Sequence, residues 1–328
     1  MKVEKNTEQS KGEFYDGECT LIAKSDAMKK VIEQAKTAAQ GDLPILLQGE
    51  TGVGKDVLAR AIHEYSARKG KYVPVNCAGF PKELIQSILF GHTKEAFTGA
   101  VEQNEGLFKN ADQGTLFLDE ITEMPLPLQA HLLRSIETGE YRNIGGDTIY
   151  HANVRIISAT NRDLEEAIKK EILRRDLFYR LNGHLIHIPP LRERKKDIPP
   201  LVDYFVADLK AVTQKAMKVF TRYHWPGNVR ELKFAVDRAV NSTENPTLEE
   251  EDAIRSLANG KFKANLCKKP EDLPSIEAVI EKHILDVIKA CNGDKNIACN
   301  ILGISRSCLY EKLKKYERNV HTDQAEKH

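Results

Sequence analysis

A chain of 328 residues, 41% hydrophobic and 30% charged, is long enough for two or three domains with cores of their own. Its 49 basic and 48 acidic residues balance, which excludes a polyelectrolyte and confines any nucleic-acid surface to a local patch. No signal core, membrane-length apolar run or C-x-x-C pair is present, so a cytoplasmic protein with reduced thiols and no membrane partner is expected.

Residues 1–19 are polar and are expected to form a mobile N-terminal segment. Ser25 then reads as the N-cap of a helix to about Ala39, with Met28, Val31, Ile32 and Ala35 on one face. The apolar run 44–47 leads into Gly49, Glu50, Thr51, Gly52, Val53, Gly54, Lys55 and Asp56, and a helical pattern follows. Strand, glycine-rich turn and helix is the context that makes G-x-x-x-x-G-K a phosphate cradle. Backbone N–H groups turn inward there, the helix N-terminus adds positive character, and Lys55 reaches the outer phosphates. Asp56 stands where a Mg²⁺-binding Ser or Thr is usual.

Residues 72–75 read as a strand ending at Asn76 and Cys77, and 81–88 as a short helix. The run 90–100 sets Phe97 and Thr98 among small residues, an odd composition for a solvated loop. Residues 115–118 form a second apolar run, ending in Asp119 and Glu120. Phosphate-loop enzymes place an Mg²⁺-binding Asp at such a strand end, and a neighbouring Glu polarises the attacking water. Metal binding is therefore assigned to Asp119 and catalysis to the pair. An amphipathic helix over 126–136 precedes a buried strand, 154–159, that ends in Thr160 and Asn161. This polar pair either senses the terminal phosphate or makes a simple turn.

Residues 172–182 mix arginines with apolar and aromatic side chains. On one helix Arg174 and Arg180 would lie about 600° apart, sharing neither one face nor opposite faces. They serve either surface ion pairs or a neighbour's transition state. Helices follow over 197–209 and 214–222. Trp225, Pro226, Gly227 and Asn228 then cap a helix over 229–240. The polar stretch 241–273 reads as a linker with one weak helix. Helices over 275–290, 295–302 and 305–316 close the chain, the last two separated by a Gly303-Ile304 turn. Arg306, Lys312, Lys314, Lys315 and Arg318, against Glu311 and Glu317, mark the last as a basic recognition helix for a major groove, with Ser305, Arg306, Ser307, Tyr310, Lys312 and Lys314 its candidate DNA contacts, or as the solvated face of a small bundle.

In combination, GETGVGKD, NCAGF, FGHTKEAFTGA, GTLFLDE, SATNRDL, LRRDLFYRLN, PPLRERKKDI and WPGNVREL resemble bacterial enhancer-binding proteins, the AAA+ activators of sigma-54 RNA polymerase. The resemblance covers residues 20–240 for the ATPase and 275–318 for a Fis-type DNA-binding domain. It implies an α/β AAA+ subdomain over 20–190, a helical lid over 191–240, the linker, and an all-α helix-turn-helix domain over 274–328. ATP and Mg²⁺ are the implied cofactors. Asp56 is what the family resembles at its position. The implied partners are sigma-54 polymerase, double-stranded DNA upstream of the promoter, and further copies in a ring of six or seven.

By the same resemblance, Asn76 holds Glu120 in check, Thr160 and Asn161 belong to sensor I, and Arg230 is sensor II. Arg174 and Arg180 are arginine fingers, and Phe97, Thr98 and Gly99 grip sigma-54. The sequence departs from the family at Glu95, where a glycine is usual, and between Phe205 and Trp225, where the spacing is short and a truncated lid is expected. Residues before 20 contain no receiver or sensory domain, so the chain is expected to be a member regulated in trans or part of a longer protein.

Overall fold

The apolar runs become neighbouring strands because each is too short and too hydrophobic to stand alone. The computed structural model describes residues 21–81, 84–94, 96, 102–207 and 209–258 of a first unit. Of a second it describes 280–281, 283–284, 287–288, 291 and 294–313. Phe97, Thr98, Gly99, Glu95 and Lys314, the segment 1–19 and the stretch 259–273 lie outside the described residues.

In the first unit, strands β1 (Ile45–Gln48), β2 (Tyr72–Asn76), β3 (Thr115–Asp119), β4 (Glu140–Arg142), β5 (Ile149–His151), β6 (Arg155–Thr160) and β7 (His184–His187) alternate with helices. The helices are α1 (Asp26–Ala39), α2 (Lys55–Tyr65), α3 (Ile85–Phe90), α4 (Leu107–Asn110), α5 (Leu126–Thr138), α6 (Leu164–Lys169) and α7 (Arg175–Leu181). A five-stranded sheet runs β2-β3-β6-β1-β7, every neighbouring pair parallel. Alternate side chains serve opposite layers: Leu46, Leu116, Leu118 and Ile156 enter one core, and Ile45, Leu47, Phe117, Ile157 and Ala159 the other. Pro74, which cannot donate to a ladder, sits on the edge strand β2. β4 and β5 form a separate antiparallel hairpin.

Ser25 caps α1 as expected, its Oγ accepting from the Met28 N–H at 3.2 Å. The helix expected over 81–88 begins later, at Ile85, because the Pro81 carbonyl is used in a turn that accepts from the Leu84 and Ile85 N–H groups.

The lid comprises α8 (Ile198–Val206), β8 (Ala211–Val212), α9 (Gln214–Arg222), α10 (Asn228–Ser242), β9 (Thr247–Leu248) and α11 (Glu250–Ala258). Its boundary corrects the sequence reading, in which 241–273 was a linker. Residues 247–248 pair in parallel with 211–212, and Leu248, Ala253 and Leu257 are buried in the lid core with Phe220, Trp225 and Leu232. Few large apolar residues suffice there because Asp252 and Ser256 share the buried face of α11 with Ala253 and Leu257. Within the short spacing between Phe205 and Trp225 lie α9 and the strand β8, which pairs with β9 beyond it.

In the second unit α12 (Lys295–Leu302) is capped by Asp294, whose carboxylate accepts from the Asn296 and Ile297 N–H groups. Gly303 ends it in the left-handed region at φ 65°, its N–H returning to the Cys299 carbonyl. Helical residues 306–313 follow, and Ile284, Cys299 and Leu309 form the buried core. Cys77, Cys291, Cys299 and Cys308 are free thiols. Among the described residues no helix is long and apolar enough to cross a membrane.

Candidate functional site

Parallel strands deliver their C-terminal ends to one rim of the sheet, and the loops after β1, β3 and β6 meet there. Gly52 and Gly54 hold φ of 80° and 100°, which an L side chain rarely adopts. Lys55, the first residue of α2, is buried. Its Nζ donates to the Gly49 carbonyl at 2.9 Å and the Glu50 carbonyl at 3.3 Å, and lies 4.0 Å from Glu120 Oε1. A buried cation at a helix N-terminus is a site for an anion.

Asp119 ends β3, and its Oδ1 accepts from the Glu120 N–H at 3.0 Å. Burial pushes the Asp119 carboxyl above the usual carboxylate range, against the pull of Lys55 and Arg230, while Asp56 adds to the push. Glu120 is raised for the same first reason and is held down chiefly by Lys55. Its backbone sits in the left-handed region at φ 50°, uncommon for a non-glycine residue and a feature that clusters at functional sites. Glu120 Oε2 accepts from the Asn161 N–H at 3.3 Å, and Asn161 Nδ2 donates to Thr51 Oγ1 at 2.9 Å. Asn161 thus ties the end of β6 to both the phosphate loop and Glu120. Thr160 points inward: its hydroxyl meets Thr122 Oγ1 at 3.1 Å and accepts from the Arg162 N–H.

Asn76 stands opposite Asp119 in the register of β2 and β3. Its Oδ1 accepts from the Ala78 N–H at 2.9 Å, so among the described residues its side chain closes its own turn rather than meeting Glu120. Arg174 is not helical. It precedes α7 with extended backbone, which removes the 600° argument. Its guanidinium grips the Asp176 carboxylate at 3.0 and 2.7 Å, and Arg180 donates to the Ile136 carbonyl.

Arg230, near the start of α10, lines a cleft of about 500 Å³ between phosphate loop and lid, with Ile22, Gly54, Tyr204, Phe205 and Phe234. The helix is joined to the loop through its backbone: the Val229 and Arg230 N–H groups donate to the Gly52 carbonyl at 2.9 and 3.3 Å. Sequence reasoning gave Asn228 only a capping role. Gly227 is the N-cap, and the buried Asn228 side chain instead accepts from the Leu191 N–H and donates to Glu50 and to the Thr51 carbonyl. Arg192 and Arg194 had no role at all, although both lie in the quoted run PPLRERKKDI. Arg192 pairs with Glu50, and the buried Arg194 donates to the Val53 carbonyl at 2.7 Å. A charged run directly after two prolines was the available signal.

The residues present fit a magnesium nucleotide. An oxygen-only pair, Asp119 and Asp56, suits a hard divalent cation, and Lys55 with the α2 N-terminus suits its phosphates. In the second unit Ser305, Arg306, Ser307 and Tyr310 are exposed and Lys312 half-buried. The Ser305 hydroxyl accepts from the Cys308 N–H, a capping role, and Lys295 Nζ lies 4.7 Å from the centroid of the Tyr310 ring.

Three family models match in chain order: the Sigma-54 interaction domain over residues 21–187, the AAA+ ATPase lid domain over 192–268, and the Bacterial regulatory protein, Fis family, over 276–316. Regulatory protein AtoC of Escherichia coli is 39% identical over 310 residues, covering 90% of this chain and 67% of its own length. Transcriptional regulatory protein FlbD of Caulobacter vibrioides is 40% identical over 324 residues, covering 92% and 71%. A structure of NtrX from Brucella abortus in complex with ATP aligns at a TM-score of 0.66 and 30% identity, over 91% of this chain and 69% of that one. Thermotoga maritima RuvB, at a TM-score of 0.51 and 16% identity over 87% and 84%, shares the fold alone. The chain therefore belongs to the sigma-54-dependent enhancer-binding proteins, transcription activators that join an AAA+ ATPase domain and its lid to a Fis-type helix-turn-helix.

Proposed function

We propose that this protein hydrolyses Mg-ATP in a homo-oligomeric ring and uses the cycle to convert closed complexes of sigma-54 polymerase into open ones. The observation that carries the reading is the convergence of Lys55, Asp119, Glu120 and Asn161 at one sheet rim, in a chain matched by the Sigma-54 interaction domain.

Lys55 holds the outer phosphates through charge. Glu120 orients the attacking water and draws on its proton, a task suited to a carboxylate whose proton affinity burial raises and the neighbouring Lys55 opposes. Asp119 and Asp56 would hold Mg²⁺, which neutralises charge on the phosphates. Asn161 reports the state of that end to Thr51 and Glu120. Arg174 and Arg180, which in their own chain meet Asp176 and the Ile136 carbonyl, serve a neighbouring subunit's nucleotide, where an arginine supplied in trans stabilises transition-state charge. Phe97, Thr98 and Gly99 contact sigma-54, and Arg306 with its helix reads DNA upstream of the promoter.

Open-complex formation on a sigma-54 promoter tests the reading. The wild type with ATP is expected to give heparin-resistant complexes, and Glu120→Gln none. Brisk ATP hydrolysis without open complexes in the wild type would overturn it. The second reading, a DNA-bound regulator independent of sigma-54 or an ATPase with another client, is favoured by Glu95, whose carboxylate replaces a flexible neutral residue of the family's loop.

A further inference from the structure

A carboxylate inside an anion-binding loop needs a physical account, because it repels the phosphates the loop exists to hold. Glu50 is such a residue, one position beyond Gly49. Arg192 donates to both of its oxygens, at 2.8 and 2.6 Å, and Asn228 Nδ2 donates to Oε2 at 3.0 Å. Arg192 lies in the short turn Leu191–Glu193 just before the lid, and Asn228 opens α10. Asn228 is fully buried in the left-handed region at φ 53°, a conformation held by its surroundings. Its amide spans three segments, accepting from the Leu191 N–H at 2.8 Å and donating to the Thr51 carbonyl at 3.1 Å as well as to Glu50. The next residue of the loop is as tightly engaged: a Cβ on Gly52 would lie 2.5 Å from the Gly227 carbonyl oxygen.

We propose that Glu50, Arg192 and Asn228 form a latch between phosphate loop and lid, in which Arg192 is a positioning residue that neutralises Glu50. The pair keeps the loop attractive to a polyphosphate and holds the start of α10, and so Arg230, against it. The proposal rests on the nucleotide-site reading above. Loop and lid then move together, because neither can shift without uncovering the Glu50 charge.

Binding of a fluorescent ADP analogue to the full chain, read alongside KM and kcat, tests this. Arg192→Gln is expected to weaken binding about tenfold at low salt by exposing the Glu50 carboxylate to the phosphates, and less at high salt. Adding Glu50→Gln to Arg192→Gln recovers most of that loss, because the repelling charge is gone. Arg192→Lys, which keeps the charge and loses the fork, falls between. A purely structural role predicts the opposite order, the double variant being no better than the single. That result, or unchanged affinity in Arg192→Gln, would overturn the latch while leaving the nucleotide site intact. A wild type that binds no analogue would instead sink the nucleotide-site reading itself.

Discussion

Lys55 and Glu120 stand 4.0 Å apart in a largely dry place, their side chains 7% and 19% exposed. Removing either one has a distinct consequence. Lys55→Ala is expected to abolish nucleotide binding, whereas Glu120→Gln binds ATP without releasing phosphate, as equilibrium binding and a phosphate-release assay would separate. Equal nucleotide affinity for wild type and Lys55→Ala would remove the loop from the account. Glu50 makes a prediction of opposite electrostatic sense. Arg192 beside it, more than the opposing loss of hydration, holds its carboxyl below the usual glutamate range, with Asn228 and His187 adding to the effect. A carboxylate lowered on folding contributes stability that is full above the unfolded value and is lost as pH falls through the folded one. Acid should therefore loosen the lid, and Glu50→Gln should flatten that dependence in thermal melts. Side chains 42% and 38% exposed are well screened, so the contribution stays near the low end of about 0–1 kcal/mol.

Elements are held together here by a few buried anchors. Trp225 is fully buried at φ 52°, its Nε1 donating to the Phe220 carbonyl at 2.8 Å and its ring meeting Tyr223 edge-on at 4.9 Å. Trp225→Ala is expected to cost about 3–5 kcal/mol, measured by denaturant unfolding. Ending the chain after Val240, the boundary the sequence suggested, would strip Leu248, Ala253 and Leu257 from the same core. An insoluble or unfolded lid is the expected result, and a stable one would show α11 to be dispensable. The run around Phe97 and Thr98 is expected to act differently, since its small-aromatic-small composition suits protein contact rather than hydrolysis. Phe97→Ala and Thr98→Ala should keep ATP turnover within a few-fold while losing open complexes, and Glu95→Gly should increase capture of sigma-54 under a transition-state mimic.

For the whole molecule, the separation into two units predicts separable activities. A chain ending near Pro274 should hydrolyse ATP and lose site-specific DNA binding. Arg306→Ala in the intact chain should weaken binding by about 1–3 kcal/mol if it reaches a base. DNA affinity unchanged by truncation would put the nucleic-acid surface elsewhere. If arginines act between subunits, specific ATPase activity rises with protein concentration, and mixing Arg174→Ala with Lys55→Ala subunits restores some turnover. Full specific activity in a dilute monomer contradicts that arrangement.

What the sequence by itself determined is local or repeated within a few residues. The phosphate loop between strand and helix, the β3 run ending in Asp119 and Glu120, the Ser25 cap and the Gly303 turn are all legible, because neighbouring residues dictate each one. Tertiary structure alone decided what depends on chain-distant partners. Asn228 looked like a cap until Glu50 and Leu191 came within its reach, and α11 looked like linker because its few apolar residues find their partners on α9 and α10. Arg174 left its helix when its N–H found Gln129 Oε1, at 2.9 Å, and its side chain found Asp176. A side chain's type is written in the sequence, but its hydrogen-bond partner is whichever group the packed cores bring to it, and burial makes that choice binding.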